Sequence, residues 1–294
     1  MNTYQTTRIR EGLAFGESPR WRAGRLWYSD FYRRGVYTVS ADGSDERLEY
    51  EVAGQPSGLD WLPDGDQLCV SMTDHRVLRV GANGTSVHAD ISEYCGFWAN
   101  DLTTGASGVA YVGNFGFDLD LLLAEVGVEG LLASPPPTTN LVVLDPDGAV
   151  RQVVPEMAFP NGAVLTPDGS TLIVAETMAM RLTAFTVDDD GTLRDRRVWA
   201  PLEFAAPDGI CLDSEGQVWF ANALTNTCQR VAPGGEITAS ATTTQTAFAC
   251  ALGGQDRTTL FVMTAPTSDR FKVADARLGA IEAVRVDVPG AGRS

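Results

Sequence analysis

Short apolar runs of strand length alternate with turn residues along the whole chain, and helical periodicity is nearly absent. One pattern recurs: a small or polar residue, an apolar strand, a turn that contains glycine, and a second apolar strand. Clear copies read PSGLDWLPDGDQLCVSM from Pro56, PNGAVLTPDGSTLIVAE from Pro160 and PDGICLDSEGQVWFAN from Pro207. Self-similarity of this kind is the signature of a repeat architecture, in which each unit is one small sheet.

The repeats begin at six positions along the chain. These are Glu17, Ser57, Asn100, Asn161, Asp208 and Cys250. Most steps are roughly 40–50 residues, the length of one four-stranded propeller blade, and the longest step follows Asn100. The sequence therefore predicts an all-β fold, a six-bladed β-propeller that spans residues 1–294 as a single domain. An array of β-sandwiches is the alternative that the strand pattern leaves open.

Residues 118–140, DLDLLLAEVGVEGLLASPPPTTN, account for the long step. This segment is the one helix-like piece of the chain, because Leu119, Leu122 and Val126 follow roughly helical spacing. The prolines at 135–137 would end such a helix. We expect a short helical or loop insertion in the third blade. Two interpretations stay open: a surface excursion that packs its own apolar face, or a lid over one end of the propeller.

The first residue of each repeat has the same expected place. In a propeller the innermost strand of every blade lines a central channel, so repeats in phase point this residue to one end of the channel. Four of these positions carry a carboxylate or carboxamide, namely Glu17, Asn100, Asn161 and Asp208. Asp and Asn are poor strand residues. Converged on one axis, such side chains form a cage of hard oxygens that suits Ca²⁺, Mg²⁺ or Mn²⁺.

Asn-Gly and Asp-Gly pairs between apolar runs ordinarily mark hairpin turns, which is the simpler explanation of these positions. However, Pro160-Asn161-Gly162 precedes a second turn signal at Pro167-Asp168-Gly169. The Asp208 motif likewise precedes Ser214-Glu215-Gly216. Two turns so close cannot both be hairpin tips, because a strand needs the space between them. We therefore interpret the first of each pair as a functional position and the second as the turn.

Composition and charge limit the kinds of partner that the protein is expected to bind. The formal net charge of -16 argues against binding nucleic acid or an anionic membrane surface. No apolar run is long enough for a transmembrane helix, and the start, MNTYQTTRIREG, lacks the apolar stretch of a secretory signal. The five cysteines are scattered without C-x-x-C spacing. We therefore expect reduced thiols in a cytoplasmic protein that binds neither nucleic acid nor membrane.

Several motifs resemble the SMP-30/gluconolactonase/luciferin-regenerating enzyme family, the regucalcin-like proteins. They are GESPRW near the start, ND at Asn100, FPNG followed by PDG, and PDGICLDSEGQVWFA, and the resemblance covers nearly the whole chain. It implies a six-bladed propeller with a catalytic divalent metal near the channel centre. By this resemblance Glu17, Asn161 and Asp208 bind the metal. Asn100 would contact the substrate or complete the metal shell.

The chain departs from the family pattern at one informative position. Sugar lactonases of the family carry an arginine two residues before the ND asparagine, where this chain has Trp98. Trp98, Phe97 and Phe115 together predict an apolar pocket and a small-molecule substrate, a lactone or ester of apolar character. Asp118 stands where some relatives have an acidic residue that contacts the substrate. The expected substrate contacts are Trp98, Asn100, Phe115 and Asp118.

The leading hypothesis is metal-dependent hydrolysis of a lactone or related ester. One divalent ion, Ca²⁺ or else Mg²⁺, Mn²⁺ or Zn²⁺, would act as Lewis acid, and Asp208 would be both ligand and general base. No G-x-S-x-G motif indicates a serine hydrolase. Two alternatives use the same site: a phosphotriesterase-like or non-hydrolytic metal-dependent enzyme, and a calcium-binding propeller without catalysis.

Overall fold

The computed structural model describes residues 1–133 and 135–292. These residues form six sheets of four or five strands, with few helices. The innermost strand of each sheet contacts the innermost strand of the next, and the last contacts the first, so the sheets close a ring. The predicted all-β fold, a six-bladed β-propeller, is confirmed.

Strands follow one another from the channel outward in each blade. Two strands, β1 (Asn2–Gln5) and β2 (Thr7–Leu13), precede the first blade. The first blade contains β3 (Gly16–Arg22), β4 (Arg25–Asp30), β5 (Gly35–Val39) and β6 (Arg47–Glu51). The second contains β7 (Pro56–Trp61), β8 (Gln67–Ser71), β9 (Arg76–Gly81) and β10 (Gly84–Asp90). The third contains β11 (Ala99–Thr104), β12 (Ala110–Asn114), β13 (Thr139–Leu144) and β14 (Val150–Met157).

The second half of the ring repeats the arrangement. The fourth blade contains β15 (Pro160–Leu165), β16 (Thr171–Glu176), β17 (Arg181–Val187) and β18 (Leu193–Pro201). The fifth contains β19 (Pro207–Leu212), β20 (Val218–Asn222), β21 (Thr227–Val231) and β22 (Ile237–Thr242), with β1 added in parallel beside β22. The sixth contains β23 (Thr246–Gly253), β24 (Thr259–Ala265) and β25 (Gly279–Arg285).

The start of the chain completes the last blade. Strand β2 pairs antiparallel with β25, from Thr7 opposite Ala283 to Leu13 opposite Gly279. The fully buried carboxylate of Glu282 in β25 accepts hydrogen bonds from several groups around this seam. These donors are the hydroxyls of Thr6, Thr244 and Thr264 and the backbone N–H of Thr244. Hydrogen bonds between the two ends of the chain therefore close the ring.

Apolar side chains fill the spaces between neighbouring blades. Tyr111 and Val143 of the third blade pack with Leu172 and Phe185 of the fourth. Similar clusters lie between the other pairs of blades, with fully buried aromatic rings such as Trp219, Tyr28 and Phe261. Each blade therefore buries both faces, which is why its strands read as continuous apolar runs.

The described residues contain two α-helices, each in a connection between two strands of one blade. The helix α1 (Leu119–Ala133) lies between β12 and β13, and Gly127 interrupts it with a φ of 66°. The predicted insertion at 118–140 also includes Ser134, which lies outside the described residues. A second helix, α2 (Arg270–Val273), lies between β24 and β25 and is not predicted from the sequence. Neither helix, within the described ranges, has the length and apolarity needed to cross a membrane.

Candidate active site

Each innermost strand carries a pairing irregularity at the same place. In β15 the register with β16 shifts between Pro160 and Ala163, which puts Asn161 and Gly162 in a bulge. Corresponding shifts occur near the start of every other innermost strand, in β3, β7, β11, β19 and β23. Bulges re-aim side chains and are over-represented next to active sites. The irregularity supplies a pocket-lining side chain in the third to sixth blades, namely Asn100, Asn161, Asp208 and Phe248.

The glycines of the Asn-Gly and Asp-Gly pairs have a packing role. A Cβ on Gly162 would lie 2.7 Å from the backbone nitrogen of Ile210, and a Cβ on Gly209 would lie 2.7 Å from the Cα of Ala249. Adjacent innermost strands approach too closely there for any side chain. The hairpin turn lies at Pro167-Asp168-Gly169, between β15 and β16, as predicted.

Asn100, Asn161 and Asp208 meet Glu17 and Thr177 at the floor of a pocket at one end of the channel. Glu17 lies just before the irregularity of β3, paired with Ser29, so the first repeat is out of phase by one residue. The floor is formed by Glu17, Asn100, Asn161, Thr177 and Asp208. The walls are mainly aromatic, with Phe15, Phe31, Tyr32, Phe97, Trp98, Phe115, Phe159 and Phe248. The structure thus brings six of the predicted site residues to one pocket: Glu17, Trp98, Asn100, Phe115, Asn161 and Asp208.

Hydrogen bonds hold the two floor amides in place. The Nδ2 of Asn100 donates to the Oδ1 of Asn161 at 3.0 Å, and the Ser57 hydroxyl donates to the Oδ1 of Asn100 at 3.1 Å. The Nδ2 of Asn161 donates to the Thr177 hydroxyl at 3.1 Å, which in turn donates to the Pro207 carbonyl at 2.7 Å. This leaves the second lone pair of the Asn161 Oδ1 for another partner.

The two floor carboxyl groups sit in an environment that disfavours their charge. Burial raises the pKa of Glu17 well above its usual value, and the nearby charges of Asp208 and Asp101 raise it further. Burial likewise raises the pKa of Asp208, with Asp101 adding to the effect. The Nη2 of Arg20 lies 3.6 Å from the Oδ1 of Asp101. Within residues 1–133 and 135–292, neither Glu17 nor Asp208 forms an ion pair with a basic side chain.

This donor set fits a hard divalent cation. Two neighbouring buried carboxylates without a cation are costly, and a bound metal would remove that cost. Carboxylate and amide oxygens are the ligands that Ca²⁺ and Mg²⁺ prefer. The described residues hold no cluster of three or more His, Cys, Asp and Glu side chains arranged for a metal. A cation here would therefore need the Asn161 amide oxygen as well as the two carboxylates.

A larger cavity, of about 900 Å³, lies at the opposite mouth of the channel. Arg20, Trp61, Cys211 and Cys250 are among its lining residues. Neither floor carboxylate faces it, so size alone does not identify the reactive end. The smaller pocket is the better candidate because its charged groups are concentrated under an aromatic wall.

Two sequence-based placements differ from the structure. Asp118 does not line the pocket; the Nη1 and Nη2 of Arg270 donate to its two carboxylate oxygens at 2.8 and 2.9 Å. Asp120, two residues later, faces the pocket instead. In the sixth repeat the bulge contains Phe248, while Cys250 lies at the opposite cavity with its Sγ 3.7 Å from that of Cys211. The sequence pattern therefore places the start of that repeat two residues too late.

Comparison with known proteins decides the family. Residues 15–266 match the model described as the SMP-30/gluconolactonase/LRE-like region. The chain belongs to the SMP-30/gluconolactonase/LRE-like family. This membership explains why GESPRW, FPNG and PDGICLDSEGQVWFA occur together in one chain.

Individual relatives share a modest fraction of identical residues with this chain. A pentonolactonase of Haloferax volcanii is 30% identical over 131 residues, 43% of this chain and 45% of that protein. The chain spans about half the length of the curated relatives that it matches. The calcium-binding protein regucalcin from Agrobacterium tumefaciens superimposes with a TM-score of 0.78 at 19% identity, over 99% of this chain and 97% of the other. A gluconolactonase of Xanthomonas campestris superimposes with a TM-score of 0.72 at 23% identity, over 96% of this chain and 89% of the other.

Proposed function

We propose that this member of the SMP-30/gluconolactonase/LRE-like family is a metal-dependent lactonase that acts on a lactone with an apolar substituent. The observation that carries the proposal is the floor of the pocket, where Glu17 and Asp208 lie beside Asn161 under aromatic walls. Relatives named as a pentonolactonase and a gluconolactonase support the reaction type.

Three residues would hold the cation, namely Glu17, Asn161 and Asp208. When bound, a divalent ion supplies Lewis acidity to a carbonyl oxygen and balances the negative charge of the site. The hydrogen bonds from Asn100 and to Thr177 keep the Asn161 amide oriented for this role. We expect Ca²⁺, because it accepts oxygen ligands in flexible geometry, whereas Mg²⁺ demands a near-ideal octahedron and keeps several waters.

The other steps belong to residues of the chain. Asp208 would accept a proton from the attacking water as the water oxygen bonds to the lactone carbonyl carbon. When the ring C–O bond breaks, the same carboxyl would return the proton to the departing alkoxide oxygen. The product is the open hydroxy acid. Asn100, at the floor beside Asn161, would orient the lactone through its amide.

The walls of the pocket favour an apolar substituent on the substrate. The rings of Phe97 and Trp98 stack with centroids 4.8 Å apart, and the Phe115 ring is nearly perpendicular to both. Such walls bury hydrocarbon well but leave the hydroxyls of a sugar without partners, which is costly. We therefore place aldonolactones among the poor substrates.

A substrate panel tests the proposal. Metal-stripped protein is supplied in turn with Ca²⁺, Mg²⁺, Mn²⁺ or Zn²⁺ and assayed on phenyl- and alkyl-substituted γ- and δ-lactones and on sugar lactones. We expect metal-dependent hydrolysis that is fastest with the substituted lactones. Trp98→Ala should lower kcat/KM for the phenyl lactone by about tenfold, a loss of about 1.4 kcal/mol. The control Trp61→Ala, at the opposite cavity, should leave it unchanged. Faster hydrolysis of sugar lactones would contradict the proposed substrate class.

The likeness to a calcium-binding regucalcin supports one alternative, a propeller that binds Ca²⁺ without turnover. That alternative predicts calcium binding and no hydrolysis of any lactone with any of the four metals. A phosphotriester added to the panel covers the other metal-dependent reaction that such a site could support.

A further inference from the structure

Two segments from different blades form a roof over the pocket. Leu119 and Asp120, at the start of α1, cover it from the third blade. Ser268 and Arg270, before and in α2, cover it from the sixth blade. The roof is therefore built by two chain segments that are not neighbours in sequence.

Arg270 joins these two segments across the pocket. Its Nη1 and Nη2 donate to the two carboxylate oxygens of Asp118, at 2.8 and 2.9 Å, and its Nη1 lies 3.4 Å from the Asp120 Oδ2. Its Cζ also lies 5.3 Å from the centre of the Trp98 ring, on the pocket wall. Bidentate arginine–carboxylate pairs are among the strongest and most directional of hydrogen-bonded contacts. One side chain thus connects both halves of the roof with the wall.

Several apolar side chains of the roof that the structure describes are exposed to solvent. The side chains of Leu121 and Val126 in α1 and Phe271 in α2 are 56%, 43% and 72% exposed, so the two helices bury little apolar surface through them. Val273 is the apolar residue of α2 that is anchored in the core. Segments with few buried apolar contacts open locally at low free energy. The Arg270 pair is thus a main restraint on opening.

The closed pocket is too small for the proposed substrate. Its volume is about 80 Å³, whereas pockets for drug-sized ligands typically measure about 300–1,000 Å³. A lactone with a phenyl or alkyl group therefore needs the roof to part as it enters, and the aromatic side chains of the walls must make room before the roof closes over it. The contact between Arg270 and Asp118 crosses the line along which the roof would part.

We propose that Arg270 is a positioning residue that latches the roof over the bound lactone, an inference that rests on the proposed lactonase function. The pair with Asp118 opens when substrate enters and re-forms over it, and the same guanidinium holds Trp98 against the apolar substituent. Arg270 acts on the substrate through the roof and the wall, and it takes no part in the chemistry at the floor.

The test compares Arg270→Gln, Arg270→Lys and Asp118→Asn with the matched control Arg285→Gln. Arg285 also pairs with an aspartate, Asp256, but both side chains are largely exposed and neither lines the pocket. Hydrogen–deuterium exchange is followed in residues 118–123 and 266–274, and kcat and KM are measured on the phenyl lactone. Both readouts are made on the full chain loaded with Ca²⁺.

We expect Arg270→Gln to raise KM about tenfold, to change kcat less than twofold, and to speed exchange only in the two roof segments. Asp118→Asn should give the same result, and combining the two should add little, because both remove one contact. Arg270→Lys should recover part of the loss, and Arg285→Gln should match the wild type. Unchanged exchange in the roof, faster exchange throughout the chain, or faster roof exchange with an unchanged KM would each overturn the latch.

The two proposals can fail separately. If the wild type hydrolyses no lactone, the proposed function fails, and the exchange comparison still decides whether Arg270 restrains the roof. If the wild type is active and the roof exchanges alike in all variants, the function stands and the latch is overturned.

Discussion

At the residue scale, the candidate site depends on side chains that the repeat pattern marks and on one that it does not. Glu17, Asn161 and Asp208 stand out in the sequence because oxygen-bearing residues replace the expected β-branched ones at a repeated position. Thr177 lies outside that pattern, yet it links Asn161 to the Pro207 carbonyl of the next innermost strand. Only the folded backbone brings its hydroxyl between the two.

The raised pKa of Asp208 predicts a pH dependence of stability in the metal-free protein. An unfolded Asp loses its proton near pH 4, whereas burial keeps the folded Asp208 protonated to higher pH. The unfolded state therefore binds fewer protons between the two pKa values, and stability falls as pH rises through the folded pKa. Asp208→Asn removes this group, so the free energy of unfolding of the variant should depend less on pH. Above the folded pKa of Asp208, it should also be larger than that of the wild type.

Urea unfolding in EDTA across pH 4 to 9 measures this effect. Asp256→Asn is the control: because the bond from Arg285 lowers the pKa of exposed Asp256, its difference from wild type should stay nearly constant across this pH range. A difference between Asp208→Asn and wild type that stays constant across this pH range would refute the assignment. Addition of Ca²⁺ should reverse the order, since only the wild type keeps both carboxylate ligands.

At the element scale, the bulge and its glycine explain a motif that resembles a hairpin turn. The Asn161-Gly162 pair lies where β15 departs from regular pairing and passes closest to β19. Gly169 is the true turn glycine, with a φ of 74°. The two glycines of this blade are therefore needed for different reasons. Gly162 allows two backbones to approach closely, and Gly169 adopts a positive φ that other residues disfavour.

Alanine substitutions distinguish the packing role of Gly162 from the conformational role of Gly169. Gly162→Ala places a Cβ 2.7 Å from the Ile210 nitrogen, so β19 must shift and Asp208 must move with it. We expect a loss of about 1–3 kcal/mol in stability and weaker metal binding. Gly169→Ala meets nothing within 4 Å of its new Cβ, so it should cost about 1 kcal/mol from its backbone conformation alone and leave metal affinity intact. Equal metal affinity in the two variants, measured by calorimetry, would disprove the packing role of Gly162.

At the scale of the whole molecule, the repeats predict the ring but not how it closes. Strand β2 comes from the start of the chain and completes the sixth blade, which no local pattern reveals because its partner β25 lies at the other end of the sequence. Pairing of the two ends supports the proposal that residues 1–294 form one domain. The seam also accounts for buried Glu282, whose hydrogen-bonding partners include Thr6.

The sixth repeat lacks the residues that mark the bulge in other repeats. Its strand reads TAFACALGG, without the proline and glycine that mark the bulge in the Asn161 and Asp208 repeats. A shift of two residues keeps every side chain on the same face of a strand, so alternation cannot detect it. Phe248, rather than Cys250, is therefore the side chain of the sixth repeat that lines the pocket. Arg270 is missed for a related reason, since α2 has only four residues and shows no periodicity.

In the proposed reaction, Glu17, Asn161 and Asp208 hold one divalent ion on which hydrolysis depends. The direct measurement combines calcium calorimetry on the metal-stripped protein with lactone hydrolysis by the same sample, before and after Ca²⁺ is returned. We expect one ion per chain, no hydrolysis without it, recovery on its return, and loss of both ion binding and hydrolysis in Asp208→Asn. Full hydrolysis by protein shown to be metal-free by elemental analysis would overturn the proposed metal dependence.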